Sequence, residues 1–149
     1  MTIYDTVRDI LKTKGQGVWS IAPEASVFQA IELMADRHVG ALMVIAEEKL
    51  VGIISERDYA RKVILRGRSS KDTRVSEIMT SPVIFVEPHF TVDECMRLVT
   101  ENRIRHLPVV ENERVIGVIS IGDLVKWIMS AQDHTIQQLQ NYVAGKYPL

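Results

Sequence analysis

Gly52-Ile53-Ile54-Ser55-Glu56-Arg57-Asp58 and Gly117-Val118-Ile119-Ser120-Ile121-Gly122-Asp123 carry one pattern, Gly-x-x-Ser-x-x-Asp, twice, 65 residues apart. The same shift lays Pro23 on Pro88 without a gap. It also brings Val18, Val27, Leu33, Leu42, Val44, Glu48 and Ile54 onto Val83, Val92, Leu98, Leu107, Val109, Glu113 and Ile119. An internal duplication of one supersecondary unit follows. Copies of about 60 residues are marginal alone, so one module is expected, with pseudo-two-fold symmetry and halves that complete each other's core.

Outward from these junctions the two copies read alike. Ser26-Val27-Phe28-Gln29 and Thr91-Val92-Asp93-Glu94 have the capping-box form and place two helix starts. Behind them Val27, Ala30, Ile31, Met34 and Val92, Cys95, Met96, Val99 recur at three- and four-residue spacing, one apolar stripe per helix. Residues 41–45 with 51–55, and 107–110 with 115–120, are short aliphatic runs of the kind found in strands covered on both faces. Their charged links are short enough for hairpins. A second helix closes each unit, from about Glu56 to Arg66 and from about Gly122 to Met129.

Outside the repeat, Ile3, Val7, Ile10 and Leu11 form a helical stripe. Ile136, Leu139, Tyr142 and Val143 mark a further amphipathic helix after Ser130. The division expected is 1–17, N-terminal helix and linker; 18–66, first repeat; 67–82, linker; 83–130, second repeat; 131–149, C-terminal helix. The fold class is α/β, small sheets flanked by helices.

The chain has 149 residues, 46% hydrophobic and 25% charged, a globular composition. Eighteen Lys and Arg against nineteen Asp and Glu leave a formal charge of −1, with no net field to draw nucleic acid or an anionic membrane. The lone Cys95 has no internal partner, which fits a reducing compartment. No apolar run approaches the roughly 18 to 20 residues that span a bilayer. Residues 1–5 lack a basic leader and an apolar core, so no secretory signal is expected. A cytoplasmic location is the simplest expectation.

Helix, strand, strand, helix, twice, with Gly-x-x-Ser-x-x-Asp at each last strand-to-helix junction, resembles the CBS domain pair, also called a Bateman module. Ile78-Met79-Thr80-Ser81-Pro82-Val83 and Arg103-Ile104-Arg105-His106-Leu107-Pro108-Val109-Val110 add to the likeness, which covers about residues 7 to 130. Within the family the chain looks like a stand-alone single pair. The resemblance implies a regulatory module, commonly a dimer, that binds adenosyl ligands such as AMP, ADP, ATP, NAD or S-adenosylmethionine.

The resemblance also implies two sites, each using the acidic residue of one copy and the strands of the other. One groups Ser55, Arg57 and Asp58 with Met79, Thr80, Ile84, Ile104, Arg105 and His106. The other groups Ser120, Gly122 and Asp123 with Lys14, Trp19, Val39, Gly40 and Ala41. The chemistry agrees with this: unpaired amides at a helix start favour an anion, and a carboxylate can accept from two vicinal ribose hydroxyls. Arg105, His106 and Arg57 make the Asp58 site the expected stronger phosphate binder.

Plainer explanations stand beside these. Ser55 with Asp58 and Ser120 with Asp123 would also serve as helix caps alone. Arg105 fits an edge-strand charge and His106 a satisfied buried imidazole; Cys95 fits a buried inert thiol. The basic stretch Arg57, Arg61, Lys62, Arg66, Arg68 and Lys71 fits a solvated face. No catalytic constellation is present in the sequence: the four His match no metal-ligand spacing, Val118 breaks the nucleophile-elbow pattern at Ser120, and neither a Walker nor a Rossmann loop occurs. The expectation is a non-enzymatic, metal-free sensor of energy or redox state. It would bind an adenine nucleotide and signal through a homodimer to a client protein, with no nucleic-acid or membrane partner. A ligand-independent interaction scaffold is the alternative.

Overall fold

The computed structural model describes residues 4–15 and 17–144, the Tyr142 side chain excepted; Ile3 and that side chain, both in expected helical stripes, lie outside the described residues. α1 (Val7–Lys14) leads into β1 (Ser20–Ile21), and each copy then runs helix, hairpin, helix. In the first copy these are α2 (Val27–Arg37), β2 (Ala41–Ala46), β3 (Lys49–Ser55) and α3 (Glu56–Tyr59). α4 (Val75–Ile78) follows, and the second copy has α5 (Val92–Asn102), β4 (His106–Glu111), β5 (Arg114–Ser120) and α6 (Ile121–Val143).

The backbone repeats as closely as the sequence does. At α2, Ser26 Oγ accepts from the Gln29 amide at 3.1 Å, and Gln29 Oε1 accepts from the Ser26 amide at 3.0 Å. At α5, Thr91 Oγ1 accepts from the Glu94 amide at 3.1 Å; among the described residues the return half of that expected box is not formed. Both helices end on a left-handed residue, His38 (φ 55°) and Arg103 (φ 53°). The two-residue turns Glu47-Glu48 and Asn112-Glu113 both have positive φ, the primed geometry that matches strand twist. The hairpins bulge at Val44/Ile45 and Val109/Val110. β1 pairs in parallel with β2, giving a three-stranded sheet; its counterpart in the second copy is a single bridge between Val86 and Val109.

Two helices depart from the sequence expectation. α3 passes into a π-helical stretch, Ala60–Ile64, in which the Leu65 amide reaches the Ala60 carbonyl at 3.1 Å. α6 is one uninterrupted helix of 23 residues, not two separated at Ser130. No Gly or Pro interrupts residues 123–143, so nothing in the backbone chemistry stops it.

The helices preceding each copy are exchanged. α4 docks on the start of α2: Val27 N donates to Thr73 O at 2.8 Å, Val75 N to Ala25 O at 2.8 Å, and Ser76 N to Pro23 O at 3.0 Å. α1 makes the same three bonds to the start of α5: Val92 N to Asp5 O at 2.8 Å, Val7 N to Phe90 O at 2.9 Å, and Arg8 N to Pro88 O at 3.0 Å. α1 thus precedes the first copy in sequence but belongs to the core of the second. There Val7, Ile10 and Leu11 pack with Val92, Cys95, Val99, Leu107, Val109, Ile119 and Leu124. Val75 and Ile78 of α4 pack with Val27, Ala30, Met34, Leu42, Val44, Ile54 and Val63. Burial pushes the Cys95 thiol up to about 12, with Glu94 adding to the shift, so it is an inert core group.

The repeated glycines make this docking possible. A Cβ on Gly117 would stand 2.6 Å from Leu11 Cδ2, and one on Gly52 would stand 2.5, 2.9 and 3.2 Å from Sδ, Cγ and Cβ of Met79. Relief at Gly52 needs the whole Met79 side chain to shift. Gly52→Ala is therefore expected to destabilise the protein by about 1–3 kcal/mol in urea unfolding. In a double-mutant cycle with Met79→Ala, the pair should cost less than the sum of the singles by more than about 0.5 kcal/mol. Strict additivity would remove the steric account.

Candidate functional site

Each repeated Ser and Asp closes a capping box at the end of a strand. At α6 the Asp123 amide donates to Ser120 Oγ at 3.0 Å, and Asp123 Oδ2 accepts from the Ser120 amide at 2.8 Å. At α3 the Asp58 amide donates to Ser55 Oγ at 3.1 Å, and Asp58 Oδ2 accepts from both the amide and the hydroxyl of Ser55 at 3.0 Å. The plain capping reading of these residues is thus realised, and any ligand role is additional to it.

What separates the two carboxylates is the lysine each one meets. Lys62, carried by the π-helical stretch, reaches Asp58 Oδ1 at 3.0 Å and the Ile78 carbonyl at 2.8 Å. Thr80 Oγ1 stands 3.5 Å from the same oxygen. Both oxygens of Asp58 are occupied by the chain's own donors, and its side chain is 13% exposed. At Asp123, Lys14 bonds Oδ2 and also the Val118 carbonyl at 2.7 Å. No described residue donates to Asp123 Oδ1, and its side chain is 25% exposed.

Beside Asp123 opens a cavity of about 390 Å³, lined by Lys14, Gly15, Gly17, Trp19, Val39, Gly40, Ala41, His106, Val118 and Ser120. That volume is in the range of small-molecule sites. Trp19, 41% exposed, is held by the Arg37 guanidinium 4.2 Å from its ring centroid. The structure therefore brings together most of the second expected group, with both copies contributing to one cleft.

The first expected group is more dispersed. His106, expected in the Asp58 group, lines the cavity on the Asp123 side: it starts β4 opposite Ser120, and that pairing carries it to the Asp123 junction. Met79 lies over Gly52 as packing, and Ile84 and Ile104 pack at the margin of the second core. The Arg105 carbonyl accepts from the Ile121 amide at 2.8 Å, as the Gly40 carbonyl accepts from Glu56 at 3.1 Å; the Arg105 side chain is exposed. Arg57 and Gly122 are exposed, and a Cβ at Gly122 would make only ordinary contact, 3.6 Å from Ser120 Oγ. Lys62 belongs to the basic stretch expected as a solvated face or as a supplement to phosphate binding, not as a partner of Asp58. Its spacing of four from Asp58 was the available signal.

Two duplicated αββα units, each closed by the helix that precedes the other and sharing a cleft between their strand-to-helix junctions, define a tandem-repeat regulatory module. The chain belongs to the CBS domain family, whose sequence model matches residues 7–65 and 75–130. It is 41% identical over 95% of its length, and 73% of the relative's, to the CBS domain-containing protein CBSX3, mitochondrial, of Arabidopsis thaliana. A putative signal-transduction protein with CBS domains from Burkholderia ambifaria superposes with a TM-score of 0.81 at 51% identity, covering 85% of this chain and 96% of that one. The CBS domain pair of protein MJ0100, solved in complex with 5′-methylthioadenosine and S-adenosyl-L-methionine, superposes with a TM-score of 0.77 at 26% identity over 87% of this chain and 99% of that one. Among the described residues no helix is long and apolar enough to cross a membrane.

The electrostatics of the cleft are set by the proximity of Lys14. Burial pushes the Asp123 carboxyl up, but the Lys14 hydrogen bond, the Ser120 amide and the Lys14 charge outweigh it and hold the group below its usual value. Burial is also the main cause of the lowered His106 pKa; Lys14 and Arg105 lower it further, against Asp123 and Glu56. The folded protein thus prefers neutral His106, and stability is lost as pH falls below the unfolded value of about 6.5. Asp123 acts lower on the scale, its contribution being present above about pH 4 and lost in stronger acid. Between pH 7.5 and 5 the melting temperature of His106→Asn should accordingly fall less than that of the parent protein. Equal slopes in thermal scans would show that His106 is not held neutral.

Proposed function

We propose that the cleft beside Asp123 binds an adenosyl ligand, an adenine nucleotide such as AMP, ADP, ATP or NAD, and that its occupancy is signalled to a client protein through a homodimer. The observation that carries the proposal is a small-molecule-sized cavity framed by residues of both repeats and lined by Lys14 and Ser120, the two residues that bond the Asp123 carboxylate. The ligand-bound MJ0100 pair shares the fold and supports the adenosyl class. In this reading the ribose hydroxyls bond Asp123, the base lies against Trp19 and Val39, and Lys14 turns from Asp123 to the phosphate. Its ammonium is a mobile point charge suited to that exchange.

The proposal reverses the order of the sites expected from sequence. Asp58 is enclosed by Lys62, Ser55 and Thr80, and a ribose there must displace a lysine that is also bonded to the Ile78 carbonyl. A ligand can signal only through a difference in its contacts between two arrangements of the protein. A cleft lined by α1, β2 and β5 offers such a difference, because β2 belongs to the first core and α1 and β5 to the second. The cytoplasmic expectation stays within the proposal and fits the buried, unpaired Cys95; the Arabidopsis relative is named as a mitochondrial protein.

Calorimetric titration with AMP, ADP, ATP and NAD tests the reading. Asp123→Ala should weaken the bound nucleotide by roughly thirty- to several-hundredfold, the loss of about 2–4 kcal/mol for two charge-assisted bonds. Asp58→Ala should change that affinity by less than about threefold, since the cleft does not include it. Absence of heat and of any melting shift at millimolar levels of all four ligands would leave the interaction scaffold as the better account.

A further inference from the structure

Of the residues lining the cleft, only Lys14 and His106 can carry a charge, and in both it is positive. Lys14 is already committed to Asp123 and to the Val118 carbonyl. His106 is not: no ion pair among the described residues includes its ring, which is half-buried at the start of β4. The ring reaches from the second repeat toward the first, where Gly40 leaves it room; a Cβ there would stand 4.0 Å from His106 Cε1. Four charges act on it: Lys14 from α1, Asp123 from α6, Glu56 from the start of α3, and Arg105 beside it in the chain. Two are positive and two negative, so no surplus charge around the neutral ring awaits a phosphate.

We infer that His106 takes up a proton when the phosphate of a nucleotide enters the cleft, so that affinity for the nucleotide rises as pH falls. A phosphate brings at least one negative charge into a partly desolvated cavity. Lys14 can balance it only by leaving Asp123, whose own charge then stands uncompensated beside the same ring. A protonated imidazole offsets that charge and gains a second donor for the ligand. In the free protein burial and the Lys14 charge hold the ring neutral, so the proton is acquired on binding. The pKa of His106 is thus raised from below its usual value. The gain in affinity is absent at higher pH, where the ring is neutral free and bound, and is complete at lower pH, where it is charged in both. An uncharged nucleoside supplies no such drive. The inference rests on the proposed nucleotide site and adds to it a response to acidity.

Calorimetric titration of the full chain at pH 6, 7 and 8, with whichever of AMP, ADP, ATP and NAD it binds, reads the linkage. The association constant relative to that of His106→Asn should rise about fivefold or more from pH 8 to pH 6; one proton sets a limit of about tenfold per pH unit. Titration of the ligand's own phosphate is common to both proteins and drops out of the ratio. His106→Arg, with a permanent charge, should also lose the slope yet bind more tightly at pH 8 than His106→Asn does. For the unaltered chain at pH 7, binding heats in Tris and in PIPES, buffers of different ionisation enthalpy, should report net proton uptake. A phosphate drawn to Lys14 releases protons, so uptake marks a group of the protein. Parallel pH profiles for the parent and His106→Asn, or no net uptake by the unaltered chain, would overturn the inference while leaving the nucleotide site intact. Absence of heat with all four ligands at every pH would remove both.

Discussion

The burial of α1 in the core of the repeat it does not precede is the constraint on which the rest of the molecule depends. Val7, Ile10 and Leu11 are nearly inaccessible, and Gly117 has no side chain so that Leu11 can lie against it. Burying three such side chains contributes several kcal/mol, comparable with the entire net stability of an ordinary domain. Neither 60-residue repeat is therefore a folding unit in its own right. The second lacks a layer of its core without the first residues of the chain, and the connection from α1 to β1 must cross between the halves to supply it.

That crossing builds the cleft. Leaving α1 at Lys14, the chain passes the end of β5 before joining the first sheet at Ser20, and so Lys14 and Trp19 come to rest near Ser120 and Asp123. The π-helical stretch has a comparable local effect at the other junction. It sets Lys62 over Asp58 and ties it to the last residue of α4. One duplicated capping box has thereby acquired two different electrostatic environments, one enclosed by a neighbour on its own helical stretch and one bordered by a distant element and an opening.

The repeat, the hairpins, the four helices of the two copies and the α/β class were legible because each rests on local chemistry: side-chain period, capping residues and turn length. The exchange of α1 and α4 was not. Val7 and Leu11 correspond to Val75 and Met79 at an offset of 68, three residues more than the offset that aligns everything else, and four-residue α4 is too short to show a periodicity of its own. Lys14, Trp19, Gly40 and Ala41, grouped with Asp123 through the resemblance, line one cavity beside it. His106, grouped with Asp58, lines the same cavity, because a residue at the start of a strand can face either junction and only the packing of the two hairpins decides which. The continuity of α6 was missed for a simpler reason: a serine weakens a helix but does not end it.

The unequal lysines give the duplicated carboxylates unequal mechanical consequences. Displacing Lys62 from Asp58 rearranges contacts within one repeat, since its other partner is the Ile78 carbonyl of the helix already packed in that core. Displacing Lys14 from Asp123 breaks its bonds to both the second repeat's carboxylate and the Val118 carbonyl, and Lys14 is the last residue of the helix that closes that core. Only the second event alters how α1 is anchored relative to β5 and α6. On the proposed function, occupancy at Asp123 therefore reaches α6, whereas the same chemistry at Asp58 would end where it began. The lysines stand at non-equivalent positions, Lys62 falling on Trp127 of the second repeat, and that divergence gives one duplicated capping box two different couplings to the rest of the chain.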